Sequence, residues 1–330
     1  MSETPIIEPK TNPIIKQLTE DYAGKRLDVV LAELFPDYSR SRLKIWIDQG
    51  QVLVNGKNAK PKTKMSGDEE LQLTIQTIES EENCVAEDIP MNIVYQDESI
   101  IVINKPAGLV VHPAAGHYTG TLQNALLHYD ESLVEVPRAG IVHRLDKDTT
   151  GLMVVARNLT SHKYLVKQIQ KHEVTREYQT VVFGVMTGGG MVDQPIGRHP
   201  RDRIKMAVRE NGRKAVTHYH LLERFREHSH LKVQLETGRT HQIRVHMSYL
   251  RHSIVGDPVY AGRHRIPAGA APELIDCIHG FKRQALHAWR LRFKHPGSGE
   301  EVSYEAPLPD DMQRLIILLQ ADLKSHETGD

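Results

Sequence analysis

The sequence predicts an α+β chain in two parts: a mostly antiparallel mixed sheet with flanking helices, preceded by a small module of two helices and a hairpin. Three observations predict it. Strand-like apolar runs recur from residue 91 onward, broken by helical patterns without a regular strand–helix alternation. Ahead of them, two short helical patterns lead straight into one hairpin signal. Between the two parts lies TIESEENCVAEDIP, residues 77–90, which is acidic, aperiodic and closed by Pro90, and so reads as a linker.

The elements follow in order. Residues 1–16 are polar, carry Pro5 and Pro13, and are expected to form a disordered tail. In KRLDVVLAELFPD, Leu27, Val30, Leu31 and Leu34 keep helical spacing until Pro36 stops them. In YSRSRLKIWIDQGQ, Ser39 can cap a second helix with Leu43, Trp46 and Ile47 on one face, and Gly50 suits its end. QVLV, the turn pair Asn55-Gly56 and a strand at 71–75 complete a module over residues 17–76. In residues 91–330, strands are expected at NIVY, SIIVINK, LMVVA, EYQTVVFGV, THYHLLERF, HLKVQLET, RLRFKHP and EVSYEAP. Helices are expected at TLQNALLHY, SHKYLVKQIQ, THQIRVHMSYL and MQRLIILLQADL.

Composition narrows the class. Hydrophobic content of 39% and charged content of 25% in 330 residues describe an ordinary soluble globular protein. No run approaches the ~18 apolar residues of a membrane span. The N-terminus lacks the apolar core of a signal peptide, so a cytoplasmic protein without a membrane partner is expected. Cys84 and Cys277 make neither a disulfide framework nor a zinc site, and suit a reducing compartment. The net charge of zero is a cancellation: residues 1–64 carry +3, residues 65–104 carry −10, and residues 105–330 carry +7. A phosphate backbone feels the local field rather than the total.

The segment GIVHRLDKDTTGLMVVA, residues 140–156, is the densest in chemistry. Apolar residues on either side read as two strands, with Asp148, Thr149, Thr150 and Gly151 supplying turn residues between them. In extended backbone, Arg144 and Asp146 share a face and Leu145 takes the other. A carboxylate beside an arginine stays ionised and is held rigidly, as a nucleophile or base requires. In LETGRTHQIRVHMSYL, residues 235–250, Gly238 allows a sharp turn and Thr240 can cap a helix with Ile243, Met247 and Leu250 buried. Arg239, His241, Arg244 and His246 surround its start. A metal reading fails on spacing: five residues turn a helix by about 500°, which leaves His241 and His246 roughly 140° apart. No carboxylate–histidine ligand pattern accompanies them. Tyr178 begins an apolar strand, with its hydroxyl expected at the rim. Lys105, Pro106 and Gly108 read as a structural loop or a wall of the site. No Gly-rich phosphate loop is present: neither G-x-x-x-x-G-K-S/T nor G-x-G-x-x-G occurs.

Taken together, INKPAGLVVHP, HRLDKDTTG, REY and GRTHQIRVH, in that order, resemble the pseudouridine synthases that modify ribosomal RNA. The segment from Gly24 to Leu73, with RLDVVLAEL, SRSRLKIWI and QVLVNGK, resembles an S4 domain, a small RNA-binding module. A helix-turn-helix also joins two short helices, but the hairpin that follows immediately argues against it. The likeness runs from about residue 17 to 324, with Thr150 standing where many relatives carry serine. The resemblance implies isomerisation of specific uridines in 23S rRNA, in a stem-loop facing the small subunit, with no cofactor and no metal. It implies that Asp146, not Asp148, acts as nucleophile at the uracil or the ribose, or as base on a ribose proton. Arg244 is the arginine expected to pair with Asp146, while Arg239 is left to contact phosphate. The target base must be flipped out of its stack. Tyr178 is the candidate to stack on it and to handle a proton, and Arg144 to fill the vacated space or clamp the backbone.

Arg40, Arg42 and Lys44 are the expected RNA contacts of the S4-like module; a solvated helix face is the plain structural reading of the same residues. From Arg198 to Lys214, seven basic residues against two acidic ones, including Arg201 and Arg203, predict an RNA-facing loop. The expected partner is 23S rRNA or the assembling large ribosomal subunit, and the expected state a monomer. Two rival classes stand beside this reading. A non-catalytic rRNA-binding protein would not need Asp146, and a histidine-based metallohydrolase would lose activity in chelator.

Overall fold

The computed structural model describes residues 13–35, 40–74, 84–113, 118–202, 204–262 and 265–328, without the side chains of 40–42. Pro36, Ser39, Arg203, residues 1–12 of the expected tail and residues 77–83 of the expected linker lie outside the described residues, as do the side chains of Arg40 and Arg42. The chain divides into two compact units, up to Asn83 and from Cys84 onward.

In the first unit, strand β1 (Ile14–Gln17) precedes helices α1 (Leu27–Leu34) and α2 (Arg40–Asp48), then β2 (Val52–Val54), β3 (Lys57–Asn58) and β4 (Glu70–Leu73). Leu27, Val30 and Leu31 of α1 meet Leu43, Trp46 and Ile47 of α2 over Val52, Leu71 and Leu73. Full burial of each such side chain is worth roughly 1.5–3 kcal/mol. The sheet order is β1-β4-β2-β3. Asn55 and Gly56, at φ of 49° and 72°, make the tight turn between β2 and β3. Residues 14–16 correct the sequence expectation. They are not tail but strand, because β4 has a free edge and Ile14, Ile15 and Lys16 pair antiparallel with Leu73, Gln72 and Leu71.

In the second unit the order is β5 (Ile93–Gln96), β6 (Ile100–Lys105), α3 (Leu122–Tyr129), β7 (Thr150–Ala156), α4 (Leu159–Gln170) and β8 (Thr175–Phe183). Then come β9 (Gly190–Asp193), β10 (Ile196–Arg198), β11 (Met206–Val208), β12 (Val216–Arg224), β13 (His228–Leu235) and α5 (Gln242–Tyr249). The chain closes with α6 (Pro272–Gly280), β14 (Leu286–Lys294), β15 (Glu301–Glu305) and α7 (Asp310–Thr328). Among the described residues nine strands form one sheet, ordered β5-β6-β7-β14-β8-β13-β12-β9, with β15 also on β14. Only the β7–β14 pair is parallel, and only over two residue pairs. The expected mixed, mostly antiparallel sheet is therefore what forms.

Alternation along β6 and β7 feeds two cores. Ile101, Ile103, Met153 and Val155 face the cluster that takes Leu315 and Leu319 of α7. Ile100, Val102, Leu152 and Val154 face the cluster that takes Leu165 of α4. Thr150 stays buried with its hydroxyl 2.8 Å from Nδ1 of His287. Two further expectations need correction. The stretch 198–214 is not all loop: residues 206–208 pair with 196–198 because Ile196, Met206 and Val208 close a small apolar cluster with Ala215 and Val245. Helix α6 went unread, although Pro272 at its first turn and buried Leu274 and Ile278 mark it.

Buried histidines set an acid limit. His228, His230 and His287 lie within the sheet, and burial pushes each pKa from 6.5 down to about 4. The unfolded chain protonates them near 6.5, so between pH 6.5 and 4 it binds more protons than the folded one. Stability is then full above about pH 6.5 and falls through that window, by roughly 1.4 kcal/mol per pH unit for each histidine. Urea-unfolding midpoints measured from pH 7.5 to 5 check the decline; a flat profile contradicts it.

Candidate active site

The site begins where β7 and β14 meet. Gly151 has φ of 117°, and a Cβ there would sit 2.3 Å from the Ala288 carbonyl oxygen, so only glycine lets the two strands touch. Upstream of that contact the expected first strand at residues 140–143 is reduced to one bridge, Ile141 to Val155. The chain leaves the sheet because other groups satisfy it. Leu145 is buried in the core. The Lys147 carbonyl accepts from Nζ of Lys105 at 2.8 Å and from the Gly108 amide at 3.1 Å. The Thr149 amide donates to the Asp146 carbonyl at 3.1 Å, which closes a turn.

Lys105 is the clamp of this loop. It is fully buried at the end of β6, and its Nζ also donates to the carbonyls of Pro106 and Leu109. Burial pushes its pKa down to about 8, against the pull of Asp148 and Asp146. His143 is a second support. Its Nε2 accepts the Val154 amide at 3.1 Å, and burial, then nearby Arg176, push its pKa down to about 3.

Asp146 projects into a cleft of about 460 Å³. Arg244, on the first turn of α5, donates from Nη1 to Oδ2 of Asp146 at 3.0 Å. Its Nε and Nη2 take both oxygens of Asp257, at 2.7 and 2.9 Å. The two-point geometry expected of an arginine–carboxylate pair thus belongs to Asp257, and Asp146 receives a single bond. Side-chain exposure separates the partners: 0% for Asp257, 6% for Arg244 and 19% for Asp146. Burial opposes the charge of Arg244, but hydrogen bonds and charge from Asp257, and then Asp146, outweigh it and raise its pKa above the usual arginine value. Asp257 also accepts the amides of Val259 and Tyr260 at 2.8 and 3.0 Å, which fixes it in turn.

The start of α5 departs from expectation. Its cap is His241, in the left-handed region at φ of 57°, and not Thr240. Gln242 instead fixes the turn before the helix, accepting the Arg239 amide at 3.0 Å and the Thr237 hydroxyl at 2.7 Å. His246 is held inside the fold, 2.8 Å from the Thr217 hydroxyl and 2.9 Å from the Gln194 carbonyl. Gly238 serves close approach: a Cβ there would meet Arg176 Nη1 at 2.8 Å.

The structure brings Asp146, Tyr178, Arg244, Arg144 and Arg239 to one cleft. Tyr178 is 5% exposed, and burial raises its pKa, so the phenol is neutral near pH 7. Arg144 is exposed at the rim, and Arg239 reaches the Lys214 carbonyl at 3.0 Å. Arg201 is exposed beyond β10. Lys44 is exposed on α2 of the first unit. Sequence reasoning missed Asp257 as the second partner of Arg244, the Tyr260 hydroxyl beside His241, the three-carbonyl grip of Lys105 and the Arg176 side chain on the cleft wall. A signal for the first two was the run VGDPVY, where a lone acid follows a glycine in an apolar stretch.

Residues 99–249 match the RNA pseudouridylate synthase family and residues 25–71 match the S4 domain. A Vibrio parahaemolyticus protein named ribosomal large subunit pseudouridine synthase D is 56% identical over 308 residues, 93% of this chain and 94% of its own length. One of that name from Xanthomonas campestris is 55% identical over 300 residues, 91% of this chain and 90% of its own. The solved structure of human RNA pseudouridylate synthase domain containing 4 matches with a TM-score of 0.55 and 26% identity, over 69% of this chain and 93% of its own.

Proposed function

The chain belongs to the pseudouridine synthases, and from that premise we propose that it isomerises uridines of the large-subunit 23S rRNA to pseudouridine, with Asp146 as the reacting carboxylate. The observation that carries this reading is the Asp146–Arg244 pair in a cleft walled by Tyr178. The reaction breaks the N1–C1′ bond of uridine, turns the uracil, and joins C5 to the same ribose carbon. C5 loses a proton and N1 gains one, so atoms and electrons balance without an oxidant or a donor group.

Three routes begin this exchange: attack of a carboxylate on the uracil, attack on the ribose, or removal of a ribose proton. All three need one ionised oxygen at a fixed place. Arg244 supports that by holding Oδ2, itself held by Asp257. The flipped uracil then stacks on Tyr178, worth about 1–3 kcal/mol, and Arg144 and Arg239 face the strand at the rim. The S4 unit, with Arg40, Arg42 and Lys44, and the basic stretch with Arg201 and Arg203 supply further phosphate contacts. The substrate is rRNA or the assembling subunit, met in the cytoplasm by a monomer. Among the described residues no helix is long and apolar enough to cross a membrane.

Mapping pseudouridines in large-subunit rRNA from cells with and without the protein tests this function. Loss of one or more defined pseudouridines is expected, and an unchanged map overturns it. A second prediction concerns Tyr178. Tyr178→Phe keeps the ring and removes the hydroxyl, so turnover is expected to fall about 10²–10⁴-fold, as for a lost proton-transfer group. RNA affinity should hold. Full turnover in that variant would leave Tyr178 a stacking role alone.

A further inference from the structure

Tyr260 touches both the basic hairpin β10–β11 and the Arg244 guanidinium. Its hydroxyl accepts the Met206 amide of β11 at 2.8 Å and lies 2.8 Å from Nδ1 of His241. The two contacts hold the phenol oxygen between the hairpin and the start of α5. The face of the ring carries Arg244, whose guanidinium carbon is 5.0 Å from the ring centre. Its amide donates to Oδ1 of Asp257, the oxygen that also accepts Nη2 of Arg244. Met206 packs with Tyr260 against Ile196 and Val245, so the hairpin cannot shift without disturbing this ring. The hairpin itself is where Arg198, Arg201, Lys205 and Arg209 cluster.

We propose that Tyr260 is a positioning residue that passes the seating of the β10–β11 hairpin on RNA to Arg244, and through it to the carboxylate of Asp146. The path is contiguous: hairpin amide to phenol oxygen, phenol ring to guanidinium, guanidinium to carboxylate. An RNA long enough to load the hairpin thereby sharpens the reacting geometry, and a short one does not. This inference rests on the reading of the chain as a uridine isomerase with that hairpin toward RNA.

The test compares two RNAs that share one target uridine: a long large-subunit rRNA transcript and the minimal stem-loop cut from it. Wild-type protein is expected to turn over the long RNA faster. Tyr260→Phe keeps the ring over Arg244 but removes both hydroxyl hydrogen bonds. It is expected to lower kcat on the long RNA about tenfold with KM unchanged, and on the stem-loop about threefold or less, on the scale of couplings in such networks. In an Arg201→Ala, Lys205→Ala background the same change should cost about twofold or less, since the hairpin signal is already lost. Equal loss on both RNAs, a loss carried by KM, or full additivity with the hairpin substitutions would overturn the relay. Absence of product from the wild-type protein on both RNAs and on assembling large subunits would instead overturn the isomerase reading beneath it.

Discussion

Asp146→Asn should lower pseudouridine formation by on the order of 10⁴-fold or more while rRNA binding persists. Loss of a group that forms or transfers the reacting bond has effects of that scale in other enzymes. The asparagine is nearly the same shape, and its oxygen can still accept from Nη1 of Arg244, so the loop and the cleft should keep their form. What is lost is the negative charge, which in the proposed reaction serves as nucleophile or as base. Stability should change by about 1 kcal/mol or less. Single-turnover assays on rRNA, with affinity measured in parallel, read both quantities. Ready product from the variant would return the chain to the class of non-catalytic rRNA binders, and activity lost only in chelator would favour a metallohydrolase.

Arg244→Met should damage both fold and reaction. The substitution is similar in volume but leaves Asp257, fully buried, with no cation, and frees the Asp146 carboxylate from its one arginine bond. Breaking a buried pair from one side typically costs about 3–5 kcal/mol, because the remaining charge stays desolvated. A fall of that size in unfolding free energy is expected, with activity lost in the fraction that remains folded. The double variant Arg244→Met, Asp257→Asn, which removes the stranded charge but keeps an acceptor for the Val259 and Tyr260 amides, should recover much of the stability and none of the activity. If stability is unchanged in the single variant, the burial of Asp257 does not have the energetic weight assigned to it.

The frame of the molecule was legible because its signals are local. Leu27, Val30 and Leu31 carry a helical period, Asn55-Gly56 fixes a two-residue turn, and LMVVA is a buried strand on sight. The pairing of Arg244 with Asp146 is separated by 98 positions and came from resemblance, not from spacing. What stayed hidden was non-local. Nothing in a single strand of text says that Arg244 gives its two-point grip to Asp257, or that Lys105 reaches 42 residues along the chain to the Lys147 carbonyl. The left-handed cap at His241 escaped for a related reason: Gln242 ties Thr237 and Arg239 of the preceding turn to itself, and the helix opens after His241 and not after Thr240. Strand β1 escaped because its partner edge lies more than fifty residues away.

Sharing one arginine between two acids has an electrostatic outcome. By formal charge Asp146, Asp257 and Arg244 sum to −1, while Arg144, Arg176 and Arg239 sit among the residues that line the cleft. On the proposed reading, a nucleotide is sorted here by its own polarity: the lining arginines retain its phosphates, and its uncharged heterocycle descends toward Asp146.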